Sequence, residues 1–132
     1  MTLPVLISGA GLGGVCLAQA LKNNIPFKIF ERFGRGNIGA QGYRLRITTH
    51  CVSAMEEALT PEMFSLFGKT CASIPKLGVK IKRDGSSTAP FGLSPGAPGG
   101  RSYTVDRSVF REALLTGLEE NTLFDNCLKS FT

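Results

Sequence analysis

The sequence is poor in the residues from which many catalytic and metal sites are built. It contains no tryptophan, one histidine and four cysteines in 132 residues. The cysteines are far apart and include no Cys-x-x-Cys pair, which excludes the usual zinc spacings and a compact disulfide framework. We therefore predict no metal site and a reducing compartment. The histidine, His50, lies on the flank of a predicted helix, where we expect a structural or exposed role.

Long apolar segments are also missing. No stretch reaches the roughly 18 apolar residues that indicate a membrane span. The N-terminus lacks the charged and apolar regions of a secretory signal peptide. These absences predict no membrane span and a cytoplasmic location.

Acidic residues are outnumbered by basic ones, and the formal net charge is +5 with a pI near 9.3. The basic residues are scattered, without the interleaved aromatic residues or the basic tail that favour nucleic-acid binding. We therefore predict no nucleic-acid partner, and we interpret the charge as a solvated surface with a few phosphate contacts. The scattered residues include Lys22, Lys28, Arg32, Arg35, Arg46, Lys80, Lys82, Arg83, Arg101 and Arg111.

Length and composition indicate a globular domain or part of one. Hydrophobic residues make up 42% and charged residues 19% of the sequence, as in folded chains. A doubly wound sheet that encloses a whole dinucleotide usually needs a longer chain. We therefore expect residues 1–132 to form the N-terminal part of an incomplete domain.

A glycine-rich segment near the N-terminus is the most informative feature. Gly9, Gly11 and Gly14 have the Gly-x-Gly-x-x-Gly spacing, and Glu31 follows about twenty residues later. The elements predicted around them are a strand over residues 5–7, a turn over 8–14, a helix over 15–22 and a strand over 26–30. This order predicts an α/β fold with a Rossmann-like βαβ core over residues 3–31 that binds a dinucleotide.

Each of these residues has a physical role in such a site. Gly9 lets the chain turn sharply out of the strand, and Gly11 keeps side-chain atoms away from a pyrophosphate. Gly14 lets the helix lie close to the sheet, and the N–H groups at the start of the helix face the phosphates. Glu31 is placed to accept hydrogen bonds from a ribose. The pattern does not separate FAD from NAD, and a glycine-rich turn in an ordinary α/β domain remains the alternative.

The rest of the chain predicts alternating short strands and helices. We expect strands over residues 43–47, 77–81 and 103–105, and helices over 50–59 (capped by Thr48 or Thr49), 61–67 (capped by Thr60 and ended by Gly68) and 107–118 (capped by Asp106). Asp84-Gly85 predicts a turn with an unclear return strand, and the segment 86–101 is predicted to be a loop. In the last helix Val109 and Phe110 belong to the predicted apolar stripe.

The last segment, residues 122–131, resembles the start of a strand with nothing after it to pair with. A domain boundary normally follows a completed element. We therefore expect a truncated domain whose unfinished strand exposes Phe124, Leu128 and Phe131 and favours association with another chain.

Four motifs together resemble the FAD-dependent monooxygenases of the p-hydroxybenzoate hydroxylase type, in a variant similar to fungal enzymes of secondary metabolism and catabolism. They are Gly9-Ala10-Gly11-Leu12-Gly13-Gly14, the strand end Phe30-Glu31, the stretch Gln41-Gly42-Tyr43-Arg44-Leu45-Arg46-Ile47, and Tyr103-Thr104-Val105-Asp106-Arg107-x-x-Phe110-Arg111-x-x-Leu114. The resemblance spans essentially the whole chain.

The resemblance implies a glutathione-reductase-type FAD-binding domain with the start of a substrate-side sheet near residue 77. It implies NAD(P)H as electron donor and oxygen transfer to a small organic, in some members aromatic, substrate. Arg107, in the cofactor-contacting helix predicted within 106–119, would lie near the phosphates or ribitol, and Arg44 near the ribose and phosphates. The residues implied to hold the cofactor on the glycine side are Gly9, Gly11, Leu12, Gly13, Gly14 and Glu31. Later Asp-Gly and Gly-Asp elements of the family are absent from this sequence, and no catalytic residue is assigned.

Two other interpretations remain open. The first is a small NAD(P)-binding module in which Arg32 meets a 2′-phosphate, although the charge of Glu31 would repel that group. The second is a catalytically inactive remnant that acts by association with a partner chain.

Overall fold

The computed structural model describes residues 3–36, 43–73, 77–78, 81–87, 91–92 and 103–130. Within these ranges the chain forms two three-stranded sheets and a short two-stranded ribbon. The elements are β1 (Val5–Ser8), α1 (Leu12–Leu21), β2 (Phe27–Phe30), β3 (Arg44–Ile47), α2 (Thr49–Ala58), α3 (Pro61–Thr70), β4 (Cys71–Ser73), β5 (Leu77–Gly78), β6 (Phe91–Gly92), β7 (Tyr103–Asp106), α4 (Arg107–Leu115) and β8 (Thr122–Leu123). The α/β class and the βαβ unit predicted from the sequence are confirmed.

The first sheet is entirely parallel and has the strand order β1-β2-β8. Its last strand corrects the prediction that the segment after residue 122 finds no partner, because Thr122 and Leu123 pair with Ile29 and Phe30. A turn at Phe124 and Asp125 ends this strand after two residues. The carboxyl ends of all three strands therefore lie at one edge of the sheet, where open α/β sheets bind their ligands.

Helix α1 crosses from β1 to β2 and begins at Leu12, three residues earlier than the sequence indicated. Gly11 occupies its N-cap position in an extended conformation (φ −73°, ψ 176°), so the two glycines after Leu12 belong to the first turn of the helix. Weak helix propensity is tolerated there because the first turn is held by its tertiary contacts rather than by propensity.

The second sheet is antiparallel and has the order β3-β7-β4. Its register places Arg44 opposite Asp106 and Cys71 opposite Val105. Helix α3, which precedes β4, starts as predicted, because the Thr60 side chain accepts a hydrogen bond from the Met63 N–H at 3.3 Å. It does not end at Gly68, because it continues to Thr70 and passes directly into β4, a strand that was not predicted.

The ribbon of β5 and β6 supplies the return strand that the sequence left unclear. Leu77 pairs with Gly92 and Gly78 with Phe91, and Ile81 forms an isolated bridge with Ser87. The turn contains Gly85 at φ +82°. The predicted loop over 86–101 is therefore wrong at β6, and most of its other residues lie outside the described part of the chain.

Helix α4 packs on α1 and ends at Leu115, three residues before the predicted end. Two features end it there. Gly117 adopts φ +74°, and the buried Gln19 side chain of α1 donates hydrogen bonds to the carbonyl groups of Leu114 (2.6 Å) and Thr116 (3.0 Å). The carbonyl groups at the end of α4 are thus satisfied by α1, which fixes the two helices against each other.

One continuous core joins the parallel sheet to the helices and to β7. Val109, predicted to lie in the apolar stripe of α4, is instead 50% exposed. Exposed apolar side chains on β1 and just before it include Leu3 at 86% and Leu6 at 62%. The buried apolar residues are Ile7, Ala10, Val15, Ala18, Phe27, Ile29, Val52, Met55, Leu59, Phe67, Val105, Phe110, Leu114, Leu115 and Leu118.

Two kinds of feature are missing from the described residues. None of the helices there combines the length and the apolar character that crossing a membrane requires. No group of three or more histidine, cysteine or acidic side chains in those ranges could hold a metal ion.

Candidate dinucleotide site

The glycine turn leaves β1 through a backbone conformation that favours glycine. Gly9 has φ +98°, and its N–H donates to the carbonyl of Phe30 on the neighbouring strand at 2.7 Å. Gly14 approaches the same turn from the helix side, because a β-carbon on Gly14 would collide with the carbonyl oxygen of Gly9. The spacing of these two glycines therefore lets the start of α1 lie directly against the end of β1.

The start of α1 is an uncapped helix N-terminus. Gly11 provides no capping side chain, and the first turn contains no acidic residue. The first intrahelical bond runs from the Val15 N–H to the Gly11 carbonyl at 3.0 Å, so the N–H groups before Val15 have no partner within the helix. A β-carbon on Gly11 or Gly13 would meet no atom within 4 Å. The backbone is thus open to an anion at the positive end of the helix dipole.

Glu31 lies beside this turn and is turned inward, with 8% of its surface exposed. One carboxylate oxygen, Oε2, accepts a hydrogen bond from the Ala10 N–H at 2.8 Å, and Oε1 accepts one from the Phe33 N–H at 3.0 Å. A carboxylate offers about four acceptor positions, so these bonds leave capacity for a ribose hydroxyl. Glu31 therefore contacts the glycine turn directly, which the sequence did not indicate.

Arg111 of α4 completes this group and contradicts the sequence interpretation that placed it on a solvated surface. It is 5% exposed. Its Nε donates to the carbonyl of Ala10, and its Nη2 lies 3.7 Å from Oε2 of Glu31. Nη1 lies 3.7 Å from a carboxylate oxygen of Glu112 and has no hydrogen-bond partner although it is buried.

The electrostatic surroundings of Arg111 follow from this burial. Desolvation lowers the pKa of the Arg111 guanidinium below its usual value, the carboxylates of Glu31 and Glu112 oppose that shift, and Arg107 adds to it. An arginine remains charged under these conditions. The charge of Glu31 is thus compensated from within the protein. One signal for this burial was available in the sequence, since position 111 borders the apolar stripe of Phe110 and Leu114 at helical spacing.

The two other arginines predicted to contact the cofactor lie near the start of α4. Arg107 is the first residue of that helix, its guanidinium carbon lies 5.5 Å from the ring centre of Tyr43, and its N–H donates to the Tyr43 carbonyl at 3.3 Å. Arg44 is exposed on β3, in register with Asp106. The structure thus groups the glycine turn, Glu31 and Arg107 around Arg111, and connects Arg44 to them through the pairing of β3 with β7.

The geometry fits the adenosine diphosphate half of a dinucleotide. The open backbone at Gly11 and Gly13 provides donors for a diphosphate, and the inward Glu31 lies at the end of β2, one strand away. The predicted contributions of these residues to cofactor binding remain predictions, since the arrangement shows their placement alone.

Comparisons with known proteins point to one group. No protein-family model matches the sequence. The dual O-methyltransferase/FAD-dependent monooxygenase elcB of Phaeosphaeria nodorum is 46% identical over 132 residues, covering 92% of this chain and 14% of that protein. A dual O-methyltransferase/FAD-dependent monooxygenase of Cercospora beticola is 33% identical over 127 residues, covering 92% of this chain and 14% of that protein.

A solved structure agrees with these sequence relatives. A Photorhabdus luminescens protein described as an FAD-containing monooxygenase superposes with a TM-score of 0.78 at 25% identity, covering 94% of this chain and 31% of that one. The chain thus spans 14% of the length of the two curated relatives. In sequence and in fold, the chain is therefore a relative of the FAD-dependent monooxygenases and matches one part of such a protein.

Proposed function

We propose that this chain binds the adenosine diphosphate half of FAD and forms part of an FAD-dependent monooxygenase. One observation supports this most directly: an uncapped helix N-terminus faces open space at Gly11 and Gly13, directly beside the buried carboxylate of Glu31. Backbone N–H groups and a helix dipole favour a diphosphate, and a carboxylate at the end of the second strand favours a ribose diol.

The protein groups have distinct tasks in this proposal. The N–H groups at the start of α1 hold the diphosphate, Glu31 accepts from the ribose, and Arg107 supplies a cation at the start of α4. FAD, when bound, supplies the redox and oxygen chemistry, while the protein orients the cofactor and excludes water. Arg44 is proposed to contribute at the ribose and phosphate side.

For the whole protein we propose NAD(P)H-driven hydroxylation or epoxidation of a small organic substrate. The support is the similarity to FAD-dependent monooxygenases, which include proteins of two fungi. A role in fungal secondary metabolism is part of the same proposal. The described residues of this chain supply the cofactor side, and they assign no substrate.

The test is a bulky side chain at position 11. Gly11 has φ −73° and open space, so Gly11→Val is expected to fold, at a cost of about 1 kcal/mol for the poorer N-cap residue, while its side chain occupies the diphosphate position. We expect FAD affinity, measured by flavin fluorescence titration, to fall by at least about tenfold, the equivalent of roughly 1.4 kcal/mol.

Gly68→Val is the matched control, because a β-carbon at Gly68 also meets no atom within 4 Å and lies on a different helix. This control should retain the wild-type affinity for FAD. Equal FAD affinity of Gly11→Val and the wild-type chain would overturn the proposed binding site.

The relative affinities for FAD and NADP distinguish the proposed FAD site from the NAD(P)-binding alternative. Glu31 is buried next to the turn, and its carboxylate oxygens only accept hydrogen bonds, so Glu31 can bind a ribose 2′-hydroxyl but offers no donor to a 2′-phosphate. Thermal shifts should therefore be larger with FAD than with NADP. A larger shift with NADP would favour the alternative, in which exposed Arg32 meets the 2′-phosphate.

Association with another chain is the second candidate, and exposed apolar side chains at β1 support it. In the described ranges β1 pairs with β2 alone, and Leu3 and Leu6 are 86% and 62% exposed. Of the residues predicted to mediate association, Phe124 packs against the core, Leu128 is 46% exposed and Phe131 lies outside the described residues. Light scattering of wild-type and Leu6→Lys chains tests this candidate, since an exposed apolar edge favours association and a lysine opposes it.

A further inference from the structure

Arg111 and Glu31 both bind the backbone of Ala10 in the glycine turn, one at its carbonyl and the other at its N–H. The N–H of Ala10 donates to Oε2 of Glu31 at 2.8 Å, and the carbonyl of Ala10 accepts from Nε of Arg111. Nη2 of Arg111 in turn lies 3.7 Å from the same carboxylate oxygen. Ala10 is fully buried, so both of its peptide groups depend on these partners.

This ring of contacts fixes the direction in which the next N–H points. The carbonyl of Ala10 and the N–H of Gly11 belong to the same planar trans peptide unit, where they point in opposite directions. Because Arg111 holds the carbonyl on the inner side, the Gly11 N–H is directed away from the guanidinium. A rotated peptide would present the carbonyl oxygen to an incoming anion instead.

The guanidinium also acts on the charge of Glu31. An inward carboxylate beside a phosphate site would repel the ligand unless a cation compensated it, and Arg111 is a cation within 4.0 Å of it. Arg111 is itself 5% exposed, and one of its nitrogens is buried without a hydrogen-bond partner. Its position is therefore fixed by its contacts with Ala10 and Glu31 rather than by hydrogen bonds to solvent.

We propose that Arg111 is a positioning residue of the dinucleotide site, which orients the Ala10–Gly11 peptide and compensates Glu31 so that the turn receives a diphosphate. The proposal rests on the proposed function for its ligand and on the contacts above for its mechanism. Arg111 touches neither the reacting atoms nor, by this account, the cofactor. Its fork of donors contacts a carbonyl and a carboxylate together, which the single ammonium of a lysine cannot reproduce.

The experiment compares Arg111→Met and Arg111→Lys with Gln19→Met. The control removes another buried polar side chain, which joins α1 to α4 through the Leu114 and Thr116 carbonyl groups rather than through the glycine turn. Affinities for FAD, ADP and adenosine are measured by titration. We expect Arg111→Met to weaken FAD and ADP binding by about 10- to 100-fold, as for a lost charged hydrogen bond, and adenosine binding much less. Gln19→Met should keep all three affinities within about twofold of the wild-type values.

Amide hydrogen exchange in the unliganded chain provides a readout that does not depend on the ligand. Loss of Arg111 should speed exchange at the Ala10 N–H relative to amides in β2, whereas Gln19→Met should speed exchange at the end of α4. If Arg111→Met fails to fold because it leaves Glu31 unpaired, the effect of losing Arg111 is measured in a background without that charge. Ala10 exchange and ligand affinity of the double variant Glu31→Gln/Arg111→Met are then compared with those of Glu31→Gln.

The outcomes separate the proposal from the proposed function. An Arg111→Met chain with unchanged Ala10 exchange and unchanged ADP affinity would overturn the positioning role. Equal losses of ADP and adenosine affinity would also overturn it, since they indicate general damage to the site. If the wild-type chain binds neither FAD nor ADP, the proposed function fails, and the exchange rates alone decide whether Arg111 orients the turn.

Discussion

Gly14 lies against the carbonyl group of Gly9, so closely that a β-carbon at position 14 would collide with that oxygen and lie 3.2 Å from Cγ2 of Ile7. Ile7 is the buried residue of β1, and Gly9 follows that strand directly and donates its N–H to the Phe30 carbonyl, so neither obstacle has much room to move. We therefore expect Gly14→Ala to lower the free energy of unfolding by about 1–3 kcal/mol, as overpacking does. Urea denaturation measures this change.

Gly13→Ala is the control for this prediction, because its β-carbon would meet no atom within 4 Å in the same helical turn. There alanine should be neutral or stabilising by up to about 1 kcal/mol through its better helix propensity. Equal effects of the two alanine substitutions would contradict the close approach of α1 to β1.

Asp106 caps α4 through one carboxylate oxygen, which accepts from the N–H groups of Ser108 at 2.9 Å and Val109 at 3.1 Å. Asp106→Ala should lower the free energy of unfolding by about 1 kcal/mol, the usual effect of a lost N-cap. Thr48 occupies the N-cap position of α2 without a capping hydrogen bond. Thr48→Ala should therefore change the unfolding midpoint in urea much less, and a larger effect there would count against this assignment.

Gln19 joins α1 to the end of α4, and its side chain is the partner of the Leu114 and Thr116 carbonyl groups. Gln19→Met keeps the approximate size of the side chain but leaves these carbonyl groups without that donor. We expect the free energy of unfolding to fall by about 1–3 kcal/mol. The neighbouring Ala20 is exposed, so Ala20→Met should have little effect, and a similar loss in both variants would refute the bridging role of Gln19.

Cys16 packs partly against the core, and burial raises the pKa of its thiol above 9.0. The folded chain therefore retains the Cys16 proton at pH values where the unfolded chain has lost it. This contribution to stability is fully present below pH 9 and is lost as the pH rises through the higher pKa of the folded state. Burial shifts the pKa of Cys71 in the same direction.

The measurement is the free energy of unfolding at pH 8 and pH 10 for the wild-type chain and Cys16→Ser. Serine does not titrate in this range, so the loss between the two pH values should be smaller in the variant. An identical loss in both chains would show that the Cys16 thiol does not contribute to the pH dependence.

Much of the local structure could be predicted because its causes lie within a few residues of one another. The glycine spacing, the apolar strands on either side of α1, and the caps at Thr60 and Asp106 each depend on neighbours along the chain. The predicted ends of elements were less accurate. Gly68 did not end α3, and α4 stopped at Leu115 because a side chain of α1 satisfies its last carbonyl groups.

By itself, then, the sequence determined that a glycine turn joins a strand to a helix and that an acidic residue follows at the next strand. Only the tertiary structure decided which residues complete that turn. Arg111 reaches Ala10 across 101 positions of the sequence, and β8 finds its place beside β2 from the far end of the chain. Such contacts arise when separate elements pack into one core. Helical spacing places position 111 beside the apolar stripe of α4, but which carbonyl and which carboxylate the arginine contacts depends on how α4 packs against the glycine turn.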